Sequence, residues 1–199
     1  MNFLAHLYLS GSDEQIQLGN FIADSVKGKS YLNFPEKITK GILLHRAIDN
    51  FTDNHPIVEV SKKRLRQTFH KYAPVISDIY YDHFLAKYWH EFSEINLETY
   101  ASEFYEVLNK NTAILPERTL QMMPHLIKGN WLVSYRSVEG IHRVLSGMSR
   151  RTTFVSNMEH AAEELNTNDN FYEQEFRLFF PELIAHAKAI SLTLENGKK

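Results

Sequence analysis

A chain of 199 residues has the length of one ordinary domain, and 43% hydrophobic with 23% charged residues excludes both a disordered tail and a fibrous repeat. The 22 Lys and Arg against 24 Asp and Glu leave a formal net charge of -2, which argues against nucleic-acid binding by bulk electrostatics. With no cysteine there is no disulfide framework, no thiolate zinc site and no cysteine nucleophile, so any metal must be held by nitrogen and oxygen. The first residues lack a basic region and their apolar stretch breaks at His6, while no later run approaches the ~20 apolar residues of a membrane span, so a cytoplasmic protein is expected.

Helical punctuation recurs along the chain. Ser12-Asp13-Glu14-Gln15 reads as an S-x-x-Q capping box ahead of Leu18, Phe21, Ile22 and Val26 at helical spacing, with Gly28 as a C-terminal cap. Pro35, at a first-turn position, precedes Ile38, Ile42, Leu44, Ile48 and Phe51, and Pro56 forces the next boundary. Two further helices follow, one from Ile57 to Tyr72 with Val60, Leu65 and Phe69, the other from Pro74 to Trp89 with Ile76, Ile79, Tyr80 and Phe84. Asn96 can cap a segment carrying Tyr100, Phe104, Val107 and Leu108, and Pro116 and Gly129 frame a short one. Beyond Trp131, Leu132 and Tyr135, the stretches 138–148, 154–165 and 171–189 read as more helix, and no run alternates with period two. The expectation is an all-α, single-domain helical bundle over residues 1–194 with a frayed tail at 195–199.

Spacing also singles out groups that could do chemistry. His45 and Asp49 stand four residues apart on the helix after Pro35, so both can reach one point, and Asp53 extends the row by a turn. Asp78 and Asp82 repeat the relation on the helix after Pro74, with His83 beside them. His6 sits in an apolar start, and Asp24 is flanked by Phe21, Ile22, Ala23 and Val26, where an unpaired carboxylate would be costly to bury. Each pair also fits a solvated helix face, Asp78 a helix N-terminus, and Asp24 a hydrogen bond to a neighbouring helix end. Spacing alone leaves a metal site open.

Specific strings go further. Asn2-Phe3-Leu4-Ala5-His6-Leu7, Gly19-Asn20-Phe21-Ile22-Ala23-Asp24, His45-Arg46-Ala47-Ile48-Asp49 with Thr52-Asp53-Asn54, Asp82-His83-Phe84-Leu85, Trp131-Leu132-Val133 with Tyr135-Arg136, and Leu145-Ser146-Gly147-Met148 resemble, in order, the acyl-carrier-protein phosphodiesterases. That family is similar to the HD-type metal-dependent phosphohydrolases, helical proteins that hold a divalent ion with His and Asp. This chain departs from their usual pattern in having only the reverse order, Asp82-His83. The resemblance implies hydrolysis of the phosphodiester between 4'-phosphopantetheine and a serine of holo-acyl carrier protein, with manganese as the expected ion. The ion would be held among His6, Asp24, His45, Asp49, Asp82 and His83, a hard mixed donor set suited to an octahedral first-row metal. Asp24 is expected nearest the reaction, as ligand or as the base that orients water. Arg46 and Arg136 are candidates for phosphate neutralisation, or for ordinary surface ion pairs.

Ser61 to Lys71 holds Lys62, Lys63, Arg64, Arg66 and Lys71 and no acid, a positive helix face that could dock an acidic partner such as the carrier protein. Arg143, Arg150 and Arg151 form a second cluster, and either set could simply be solvated. Two other readings stand beside the first: a nucleotide or alarmone phosphohydrolase of the same helical class, and a non-catalytic helical adaptor for an acidic protein.

Overall fold

The computed structural model describes residues 1–197 as helices and connecting turns, with no strand among them. The first helix, α1 (Phe3–Leu9), turns at Ser10 into α2 (Glu14–Ile22). The α2 cap is Asp13 rather than Ser12: its carboxylate accepts from the Gln15 and Ile16 amides at 3.0 and 3.3 Å. The expected continuation of α2 to Val26 fails, because the chain tightens at Ala23–Ser25 into a 3-10 turn. Next come α3 (Glu36–Asn54), α4 (Pro56–Phe69), with Pro56 in its first turn, and α5 (Ala73–Lys87). The remainder is α6 (Leu97–Lys110), capped by Asn96, then α7 (Glu117–Lys128), α8 (Trp131–Ser134), α9 (Val138–Ser149), α10 (Ala161–Thr167) and α11 (Asp169–Asn196).

The all-α single-bundle expectation holds, with local corrections. The predicted helix over 154–165 begins as a 3-10 turn at Met158–His160 and becomes α10 only at Ala161, because residues 150–157 form a loop. Glu195 and Asn196 belong to α11 instead of a frayed tail, and the last two residues of that expected tail lie outside the described residues. On α4 Leu65 and Phe69 are buried as expected, but the buried valine is Val58, while Val60 is 49% exposed.

Apolar side chains from α1 (Leu4, Leu7), α2 (Leu18, Phe21), α3 (Ile42, Ile48) and α5 (Ile79, Phe84) form one core closed by Phe176, Phe179 and Phe180 of α11. The tightest junction is between α2 and α3. A Cβ on Gly19 would stand 2.1 Å from the Ile38 carbonyl oxygen, and one on Gly41 would stand 2.2 Å from the Ile16 carbonyl oxygen. Only glycine permits this approach, which sets α3 against the elements that carry the candidate site. Among the described residues no helix is long and apolar enough to cross a membrane.

Candidate active site

Four of the expected site residues converge from three elements. On α3, a 1.5 Å rise and 3.6 residues per turn put His45 and Asp49 on one face. The His45 Nε2 atom lies 3.0 Å from Asp49 Oδ2 and 3.3 Å from Asp24 Oδ1, which the 3-10 turn after α2 delivers. From α1, His6 Nε2 lies 3.1 Å from Asp49 Oδ1, and the two imidazoles stack with centroids 4.0 Å apart. His6 and His45 are buried, Asp49 is partly open, and Asp24 is the exposed lip of the cluster with 67% of its side chain accessible. Asp24 is therefore not sunk in an apolar setting as its neighbours suggest. The switch from α-helix to 3-10 turn swings it away from Phe21 and Ile22 and toward solvent.

The two histidines are held in opposite charge states. Burial, with the positive charge of His45 beside it, pushes His6 down to about 4, so it is neutral. Burial works against the charge on His45 as well, but contacts with Asp24 and Asp49 outweigh it and raise the group to about 9. The charged His45 imidazole 3.3 Å away holds Asp24 below the usual carboxylate range. Asp49, despite its burial, is held well below that range by His45 and His6.

His6, His45 and Asp49 each offer a ligand atom within 4.8 Å of the others. His45 Nε2 is buried and makes no well-directed hydrogen bond although two carboxylate oxygens stand within 3.3 Å. Two imidazole nitrogens and the Asp49 carboxylate facing a common point, with Asp24 at the edge against His45, fit part of the donor set of an octahedral first-row ion. Asn20, which the spacing analysis passed over, fixes the geometry behind them. Its Oδ1 is 3.0 Å from His45 Nδ1, and its Nδ2 donates to the His6 carbonyl at 3.1 Å and to Ser10 Oγ at 2.8 Å. Orienting partners of this kind set the tautomer and direction of a ligating histidine. The one available signal was a fully polar residue at a buried α2 position.

Other expected residues do different work. Asp82 is fully buried, and its carboxylate accepts from the Leu4 and Ala5 amides at 2.7 and 3.2 Å, so it caps α1 rather than joining the cluster. Burial raises Asp82 to about 7 against those two bonds. His83 bonds through Nδ1 to the Tyr135 carbonyl at 2.7 Å, tying α5 to the turn after α8. Asp78 lies 3.2 Å from the Met1 nitrogen. Arg46 donates to the Val26 carbonyl at 2.9 Å and stacks over Tyr31, so it braces the segment that follows Asp24. Arg136 pairs with Glu98 of α6 and lines a separate concavity with Lys87 and His90. The basic run of α4 is largely neutralised within the fold. Lys62 is buried against Asp53 at 2.8 Å, Arg64 is held by Glu175, and Arg66 by Glu59. Lys63 stays exposed, and Lys71 lies over the Phe154 ring.

The sequence profile of the family described as acyl carrier protein phosphodiesterase matches residues 1–183. The chain belongs to that family. It is 33% identical to an acyl carrier protein phosphodiesterase of Enterobacter sp. (strain 638), over 94% of this chain and 98% of that one. Proteins of the same name from Shigella boydii and Escherichia coli are 34% and 32% identical, over 94% and 96% of this chain and 97% and 100% of theirs. No solved structure matches the chain significantly. His6, Asp24, His45 and Asp49, all inside the family match, are gathered by the fold into one polar cluster.

Proposed function

We propose that this protein hydrolyses the phosphodiester joining 4'-phosphopantetheine to the carrier serine of holo-acyl carrier protein, with a divalent first-row ion, manganese by preference, held by His6, His45 and Asp49 beside Asp24. The observation that carries the reading is the convergence of these four side chains from α1, the 3-10 turn and α3 in a chain that belongs to this family. In the reaction the water oxygen joins phosphorus, the phosphorus–oxygen bond to serine breaks, and the serine oxygen leaves as a hydroxyl. When bound, the ion would polarise a phosphoryl oxygen and lower the pKa of a coordinated water toward neutrality.

The chain's own groups divide the remaining work. Asp24 is ionised at neutral pH and the most exposed of the four, which makes it the group placed to take the proton of the attacking water. Arg46 holds the Val26 carbonyl and so keeps the 3-10 turn from drifting; it is a positioning residue, with its guanidinium already committed. Lys62, buried on α4 against Asp53 at 2.8 Å, ties α4 to the end of the α3 acid row. Asp82 and His83 support the site through α1 and the turn after α8. The same reading puts the protein in cytoplasmic lipid metabolism.

The test is incubation of the metal-free protein and of protein with added manganese with holo-acyl carrier protein, followed by intact mass. Loss of the phosphopantetheine group that requires the ion and vanishes in Asp24→Ala supports the reading. Bound ion without conversion turns attention to nucleotide substrates, and no ion with no conversion turns it to an adaptor.

A further inference from the structure

The α4 run that looks basic in sequence is mostly spent on internal ion pairs, and the free positive charge lies elsewhere. In the loop between α9 and α10, Arg150 and Arg151 are exposed and take part in no ion pair among the described residues, and Lys71 approaches this loop from the end of α4. Between them project the two most exposed large apolar side chains of this part of the molecule, Phe154 at 65% and Val155 at 88%. The Lys71 ammonium sits 3.9 Å from the Phe154 ring centroid, so charge and apolar surface form one patch.

The patch is built, not slack. Thr152 Oγ1 lies 2.9 Å from both the Ser149 and Phe154 carbonyls, and Ser156 Oγ donates to Ser149 Oγ at 2.9 Å. Asn157 closes the loop at φ 56, a left-handed conformation that asparagine tolerates. Thr152 and Ser156 bond within the loop while Phe154 and Val155 are held out in water, the reverse of what burial would favour without a partner.

We infer that this loop, with Lys71, is the docking surface for the carrier protein, occupied by an acidic face that also offers an apolar side chain. This rests on the function proposed above and names the surface that serves it. Unpaired cations around exposed aromatic and β-branched side chains complement an acidic protein, whereas the paired α4 run has little charge to offer. The placement suits delivery. Phe154 is tied to Tyr72 through a 3.5 Å contact, Tyr72 leads directly into α5, and Asp78, six residues on and thus about 9 Å along the helix, stands beside the cluster near Asp49.

The experiment measures steady-state kinetics on holo-acyl carrier protein and on bis(4-nitrophenyl) phosphate for the wild type, for Arg150→Glu with Arg151→Glu, for Phe154→Ser with Val155→Ser, and for Arg66→Glu. Thermal melts check that each variant folds. Both loop variants are expected to raise KM for the carrier protein about tenfold or more while leaving the small diester unchanged, with Arg66→Glu close to wild type. The carrier-protein KM of the wild type is expected to rise with salt, and that of the charge-reversed variant to respond less. Unchanged kinetics on the carrier protein, or equal loss on both substrates, overturns the proposal. So does binding to phosphatidylglycerol vesicles that depends on the loop while carrier-protein kinetics do not. If wild-type protein converts no carrier protein at all, the functional reading fails instead, a result distinct from all of these.

Discussion

Manganese binding should expel one proton near neutral pH, and His45 is its source. In the metal-free site His6, pushed down to about 4, is already neutral, and Asp24 and Asp49 are already ionised, so they have nothing to release. His45, raised to about 9, carries its proton at pH 7 and must lose it before Nε2 can ligate. Two pH units below that value, apparent affinity should be about 100-fold weaker than in strong base, or ~2.7 kcal/mol, and should improve about tenfold per unit from pH 7 to 8.5. Isothermal titration in two buffers of different ionisation enthalpy reads the proton directly, and repeating it from pH 6.5 to 8.5 gives the slope. The same coupling has a sign for stability. Because His45 is raised above its ordinary 6.5, the stabilisation it gives the metal-free protein is complete below pH 6.5 and is lost as pH climbs through about 9. That loss should reach about 3 kcal/mol in metal-free protein and be absent once the ion has replaced the proton. An affinity flat across this range with no proton released would refute the assignment of His45 to the cluster.

Four further outcomes follow from individual contacts. Asp82→Ala leaves the buried Leu4 and Ala5 amides unpaired and should cost about 2 kcal/mol in urea unfolding; full stability with manganese binding abolished would make Asp82 a ligand after all. Asn20→Ala frees the His45 ring and should weaken manganese affinity about 10- to 100-fold by titration, and an unchanged affinity would remove Asn20 from the site. Gly41→Ala drives a methyl into the Ile16 carbonyl and should lower stability by about 1–3 kcal/mol, read as a falling melting temperature. Lys62→Met leaves only the Asp53 pair broken and should keep KM for bis(4-nitrophenyl) phosphate and manganese affinity close to wild type, and a raised KM would give Lys62 a part in substrate binding.

The helices were legible because their apolar periodicity and proline boundaries are local properties: α3, α5 and α6 follow the spacing of Ile42 and Ile48, of Ile76 and Ile79, and of Phe104 and Leu108. So was the i, i+4 relation of His45 and Asp49, since one helix enforces it. What a single segment does not encode was missed. The depth of Asp24 depends on where α2 gives way to a 3-10 turn, and the fate of Lys62, Arg64 and Arg66 depends on acids at positions 53, 175 and 59. Three of the five expected docking cations are neutralised by partners on α3, on α11 and on α4 itself, and a run of charge in sequence carries no record of them. Asp82 and His83 were drawn into the ligand set by helical spacing and by the string that carries the family resemblance, yet the hydrogen bonds that occupy them reach back to α1 and forward to Tyr135.

Those two residues explain why the site needs more of the chain than its donors. A seven-residue helix such as α1 is too short to persist alone, yet it must hold His6 within about 3 Å of Asp49. Three contacts make it persist: Asp82 satisfies the amides at its start, Asn20 and Ser10 take the His6 carbonyl, and Leu4, Ala5 and Leu7 are buried without residue. Asp82 is thus placed at the N-terminus of the helix that presents a candidate ligand, and its raised pKa of about 7 measures how much burial that duty imposes. Strings that mark the family therefore mix two physical classes, side chains that form the cluster and side chains that hold α1 in place. Loss of either class should abolish turnover, but only the second should also lower the unfolding midpoint of the metal-free protein, most of all at low pH: because Asp82 is raised to about 7, the stability it contributes is complete below its ordinary carboxylate range and is lost as pH climbs through about 7.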